Sequence, residues 1–149
     1  MKLAIITGAS SGMGQEFAKR IAKEETLDEM WLIARRRERL EEIASGLKVK
    51  TRVLALDLSD RQSVNEYKAL LEEVKPEVSV LVNAAGFGQF GKFEKMELDV
   101  QLDMIELNEK AMVAMTYVTL PYMREGGRIY QLGSLSSFQP VPYINVYGA

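Results

Sequence analysis

Two groups of residues in this chain have a composition and order that suggest chemistry. The first is the run Thr7-Gly8-Ala9-Ser10-Ser11-Gly12-Met13-Gly14; the second is the pair Arg35-Arg36. Glycines spaced G-x-x-x-G-x-G between an apolar run and a helix-spaced segment suit a tight turn. Its free N–H groups can receive a phosphate because no side chain stands in the way. The spacing differs from G-x-G-x-x-G, and Gln15-Glu16 after Gly14 exclude the Gly-Lys-Ser/Thr ending of a P-loop. About 20 residues past such a turn, an acid would hold the ribose 2′-hydroxyl of NAD. Here that place is occupied by Arg35 and Arg36. A guanidinium is always charged and donates two parallel hydrogen bonds, which suits a 2′-phosphate. The expected cofactor is therefore NADP(H) in preference to NAD(H). The competing readings are a glycine turn that binds nothing and arginines that only open a solvated helix face, as Arg37 and Arg39 are expected to do.

What is missing narrows the chemistry. The 149 residues include no Cys and no His. That removes disulfides, thiolate zinc sites, Cys nucleophiles and the commonest general base. Acid–base work near neutral pH must come from Tyr, Lys, Asp or Glu. A net charge of −2 argues against a nucleic-acid partner. The four apolar residues before Thr7 are too few for a signal-peptide core. The stretch Ala111–Met123 is too short and too interrupted to span a bilayer. A cytoplasmic protein with no membrane partner is the default expectation.

The elements that must hold these residues alternate in type. Leu3–Ile6, Met30–Ala34, Val49–Leu56, Val78–Val82 and Arg128–Leu132 read as strands. Helical spacing joins Met13, Phe17, Ala18, Ile21 and Ala22, and again Leu40, Ile43, Ala44 and Leu47. Ser59 and Gln62 form a capping-box pattern ahead of Val64, Tyr67, Leu71 and Val74, with Pro76 beyond. A long helical region is expected from Leu98 to Met123, ending or bending near Pro121. Gly126-Gly127 reads as a turn, and the residues after Leu132 as an irregular tail. Alternating strands and helices imply a parallel sheet with right-handed crossovers, whose ligand lies at the C-terminal strand ends. Gly8 to Gly14, Arg35-Arg36, Asp57 and Asn83 to Gly86 all fall at such ends.

With these elements in order, the chain resembles the short-chain dehydrogenase/reductase family, classical type. The resemblance rests on the glycine turn, Asp57-Leu58, Asn83-Ala84-Ala85-Gly86, Leu107-Asn108, Ser134 and Tyr147-Gly148-Ala149. It implies a Rossmann-like doubly wound α/β sheet of strand order 3-2-1-4-5, truncated after the fifth strand, as one NAD(P)-binding domain over residues 1–149. It further implies that Gly8, Ser10, Ser11, Gly12, Met13 and Gly14 wrap the pyrophosphate and adenosine ribose. Asp57 and Leu58 would border the adenine. Asn83, Ala84 and Gly86 would line the cofactor groove and steady the sheet. Ser134 would bond the substrate oxygen, Tyr147 would carry its proton, and Asn108 would support a water-mediated proton path. The implied activity is hydride exchange between NADP(H) and a small-molecule carbonyl or alcohol of unspecified type, in a homo-oligomer (dimer or tetramer) when full length.

The family places a Lys four residues after the Tyr. That position would be 151, past Ala149. The chain is therefore expected to be an N-terminal portion with little or no activity of its own. Two other readings remain open at this stage. One is a non-catalytic NADP(H)-binding sensor or regulatory module. The other is a methyltransferase-like nucleotide binder, against which Arg35-Arg36 speaks. Phe87, Phe90, Phe93, Phe138, Pro140, Pro142 and Tyr143 could wall an apolar pocket, or merely pack their loops.

Overall fold

Runs of apolar, β-branched residues too short for helices, separated by amphipathic helices, form the centre of the molecule. The computed structural model describes residues 1–149. Its five strands are β1 (Lys2–Thr7), β2 (Glu29–Ala34), β3 (Thr51–Ala55), β4 (Glu77–Asn83) and β5 (Met123–Gln131). They pair in parallel in the order β3-β2-β1-β4-β5. Both faces of the sheet are covered, so β1, β2 and β4 are buried along nearly their whole length.

Alternation along the strands divides the core in two. Leu3, Ile5, Trp31 and Ile33 join Tyr67, Leu71 and Met115 on one face. Ala4, Ile6, Met30 and Leu32 join Ala18, Ile21, Leu40 and Ile43 on the other. The first face packs α3 (Arg61–Val74) and α5 (Ala111–Thr119); the second packs α1 (Gly12–Glu24) and α2 (Arg37–Ser45). In β4 the alternation shifts: Val78 faces the first layer and Val80 the second. The register explains it. Leu3 pairs with Val78 but Ala4 pairs with Val80, leaving Ser79 as the extra residue of a bulge. The Ser79 hydroxyl donates to the Leu3 carbonyl at 3.2 Å.

Three elements differ from the sequence-based expectation. The cap of α3 is Asp60, whose side chain accepts from the Gln62 N–H; Ser59 instead donates its N–H and hydroxyl to Asp57. The long helical region is broken into α4 (Leu98–Ile105), a π-helical turn (Glu106–Lys110), α5 and a 3₁₀ turn (Leu120–Tyr122) containing Pro121. Strand β5 begins at Met123, and Gly126-Gly127 lies within it where the pairing with β4 shifts. Beyond β5 the chain forms a 3₁₀ turn (Leu135–Ser137) and the short helix α6 (Asn145–Gly148).

Candidate active site

The glycine turn closes the C-terminal end of β1 against the end of β4. A side chain on Gly8 would put its Cβ 2.5 Å from the Ala84 carbonyl oxygen, and one on Gly14 would strike the Gly8 carbonyl. Gly12 differs: its φ is +54° and nothing lies within 4 Å of where its Cβ would be. The turn is thus closed towards the sheet and open towards solvent at Gly12. Helix α1 begins there with Ser11 in extended conformation, no side-chain cap and no acid in its first turn. Its first N–H groups, at the positive end of the helix dipole, have no side-chain cap and face solvent.

Arg36 bridges this turn to the end of β2. Its guanidinium donates to the Ser10 hydroxyl at 3.3 Å. Arg35, Arg36, Ser10, Ser11, Gly8, Gly12, Met13 and Gly14 line a cleft of about 310 Å³ together with Asp57, Leu58, Ala84 and Gly86. Asn83 is not among its lining residues. Its side chain is buried and donates to the Thr116 hydroxyl (3.0 Å) and the Gln131 side-chain carbonyl (2.8 Å), tying β4 to α5 and β5. Asp57 Oδ1 holds Ser59 in a local turn at the rim.

A second cleft of about 420 Å³ shares Met13, Ala84, Ala85 and Gly86 with the first. Asn108, Ser134 and Tyr147 all line it, among the apolar side chains of Met104, Met112, Leu132 and Val146. The Ser134 hydroxyl lies 2.7 Å from that of Ser136 and accepts from the Ser136 N–H at 3.2 Å. Tyr147 sits on α6, its ring against Gly88. Asn108 lies in the π-helical turn and clamps one residue twice. Its amide donates to the Phe87 carbonyl (2.7 Å) and its Oδ1 accepts from the Phe87 N–H (2.9 Å). Of the loop aromatics, Phe87 lines this cleft, whereas Phe90, Phe93, Phe138 and Tyr143 are exposed outside it.

Two residues shape the site in ways the sequence does not assign to them. The Thr7 hydroxyl accepts from the N–H groups of Ala84 (3.0 Å) and Ala85 (3.1 Å), pinning the loop after β4 to the end of β1. A Thr at the last position of the first strand was the available signal. Gly88 carries the Tyr147 ring; a glycine in a loop rich in glycine gave no cue. Strongly perturbed titrating groups lie elsewhere. Burial pushes the Tyr67 phenol far up while its hydroxyl pairs with Thr119 at 2.5 Å, beneath α3 and away from both clefts.

The structure thus brings together an uncapped helix start, a guanidinium bonded to the turn ahead of it, and an adjoining apolar cleft with Ser and Tyr hydroxyls. The chain belongs to the short-chain dehydrogenase family, whose profile matches residues 2–149. It is 30% identical to an uncharacterised oxidoreductase of Staphylococcus epidermidis, over 99% of this chain and 64% of that protein. It is 36% identical to sulfoacetaldehyde reductase 2 of Chromohalobacter salexigens, over 99% of this chain and 60% of that protein. The fold matches a short-chain dehydrogenase from Sphingobium yanoikuyae solved with NADPH (TM-score 0.88, 28% identity, 99% of this chain and 59% of that one). The chain thus spans roughly three fifths of the length of these relatives. No helix is long and apolar enough to cross a membrane.

Proposed function

We propose that this chain forms the cofactor site, and contributes to the catalytic site, of an NADP(H)-dependent oxidoreductase that interconverts a carbonyl and an alcohol. The observation that carries the reading is Arg36 reaching Ser10 across the open glycine turn, which puts a fixed cation beside an uncapped helix start. In this reading the α1 N-terminus and Gly12 receive the pyrophosphate. Arg35, Arg36 and Ser10 hold the 2′-phosphate, and Asp57 and Leu58 border the adenine. The relative solved with NADPH supports the cofactor class.

The nicotinamide, when bound, supplies or accepts the hydride. The protein's part is to orient the carbonyl and manage one proton. Ser134 Oγ can turn its proton from Ser136 towards a substrate oxygen in the second cleft. Tyr147 delivers a proton from its phenol oxygen to that oxygen as the alcohol forms, and takes it back in the reverse direction. Asn108 holds the Phe87 backbone and so fixes that part of the second cleft's lining; a water-mediated proton path would pass beside it.

Titration with NADPH and with NADH tests the reading. Binding of NADPH at least tenfold tighter than NADH is expected. Equal affinities would remove the NADP(H) preference, and binding of neither would remove the cofactor site.

A further inference from the structure

Gly88 lies in the loop after β4 and lines the second cleft but not the first. A Cβ on Gly88 would come 2.8 Å from Cδ2, 3.0 Å from Cε2 and 3.1 Å from Cγ of Tyr147. Three atoms of one ring edge therefore rest against the backbone where a side chain would stand. Ring carbons of this kind do not tolerate approach below ordinary van der Waals distance, so one of the two segments would have to yield.

Neither is free to do so. The loop is held from β1 by Thr7, through the N–H groups of Ala84 and Ala85, and from the π-helical turn by Asn108, through both polar groups of Phe87. The chain entering α6 is held as well. The Tyr143 carbonyl accepts from the Gly91 N–H at 2.8 Å and Ile144 is buried. The Gly91–Tyr143 bond links the two segments to each other at the entry to α6. With both backbones tied, the coordinate left to move is the Tyr147 ring.

We infer that Gly88 is a positioning residue: its bare backbone is the wall that sets where the Tyr147 phenol lies in the second cleft. This rests on the role proposed for Tyr147. It adds that the site tolerates no side chain at residue 88, although that residue lies outside the first cleft.

The test is Gly88→Ala in protein labelled with 3-fluorotyrosine, followed by ¹⁹F NMR. The chain has six tyrosines, and Tyr147→Phe identifies the signal of interest by its loss. The expected result is a displaced Tyr147 signal with the other five in place, and NADPH affinity within about twofold of the parent. Where ketone reduction is measurable, kcat falls about 10- to 100-fold, the cost of a misplaced reacting group. The double variant Gly88→Ala/Tyr147→Phe then loses no more than Tyr147→Phe alone. A folded Gly88→Ala protein with an unmoved Tyr147 signal would overturn the inference. If Gly88→Ala fails to fold, the same change is made with Tyr147→Ala. Recovery of folding supports the contact, and continued failure overturns it. Full ketone reduction by Tyr147→Phe would strike instead at the proposed proton carrier, leaving the ring's dependence on Gly88 to stand by its NMR signal.

Discussion

The two ends of the same sheet are built in opposite ways. At the C-terminal end, backbone groups are left open: α1 starts without a side-chain cap, Gly12 faces empty space, and Arg35 and Arg36 line a cleft. At the N-terminal end, polar groups are paired. The Lys2 N–H donates to Asp28 and the Asp28 N–H returns to the Lys2 carbonyl. The buried Glu29 carboxylate takes hydrogen bonds or ion pairs from Trp31 Nε1 (2.7 Å), Lys50 (2.7 Å) and Arg52 (3.0 Å), and the Arg52 guanidinium lies over the Trp31 ring. One end leaves donors open to solvent, and the other pairs its polar groups within the fold. Exposed donors are met by water until a ligand displaces it, so leaving them open costs the fold little.

If this division holds, changes at the two ends must separate affinity from stability. The largest effect is expected from Gly8→Val, which drives a side chain into the Ala84 backbone. NADPH binding should fall by more than about 100-fold, read by fluorescence titration. At the other end, Glu29→Ala should cost about 2 kcal/mol, because it leaves the Trp31 N–H without its acceptor. Chemical denaturation measures that loss, and NADPH affinity should not change.

The pH dependence of Glu29 has a definite direction. Burial raises its pKa, but hydrogen bonds from Lys50 and Trp31 and the charge of Arg52 outweigh burial and hold the carboxyl below its ordinary 4.5. The fold therefore favours the ionised form. Its stabilisation is present above the unfolded value and is lost as pH falls through the lowered one. Parent protein should lose stability more steeply below pH 4.5 than Glu29→Ala does. Parallel acid curves for the two would contradict the assignment. The smallest effect is expected from Asp60→Ala, which removes the α3 cap and should cost about 1 kcal/mol with cofactor binding intact.

The sequence carried much of this arrangement, for physical reasons that also mark where it stopped. Strands such as Met30–Ala34 were legible because a sheet buried on both faces leaves no polar alternation to confuse them. The glycine turn was legible as a turn because Gly8 and Gly14 stand where a Cβ would strike backbone, and Arg35-Arg36 fall at the end of β2, where they line the cleft. The break at Glu106–Lys110 was not, since α and π turns share the same apolar positions over so short a run. The bulge at Ser79 shifts which face β4 presents without changing its composition, so pattern alone could not register it. Ser59 and Asp60 are both good caps one residue apart, and the choice fell to Asp60 because Asp57 engages Ser59. Tyr143 has φ +70°, a conformation that its side chain gives no reason to expect.

The measurement to make is calorimetric titration of parent and Arg36→Ala protein with adenosine 2′,5′-bisphosphate and with adenosine 5′-phosphate. This pair of ligands isolates the 2′-phosphate from the rest of the cofactor. The account predicts that the parent binds the bisphosphate about tenfold more tightly, and that Arg36→Ala removes most of this advantage while leaving the monophosphate unchanged. Equal binding of the two ligands by the parent, or an advantage that survives loss of Arg36, would contradict it.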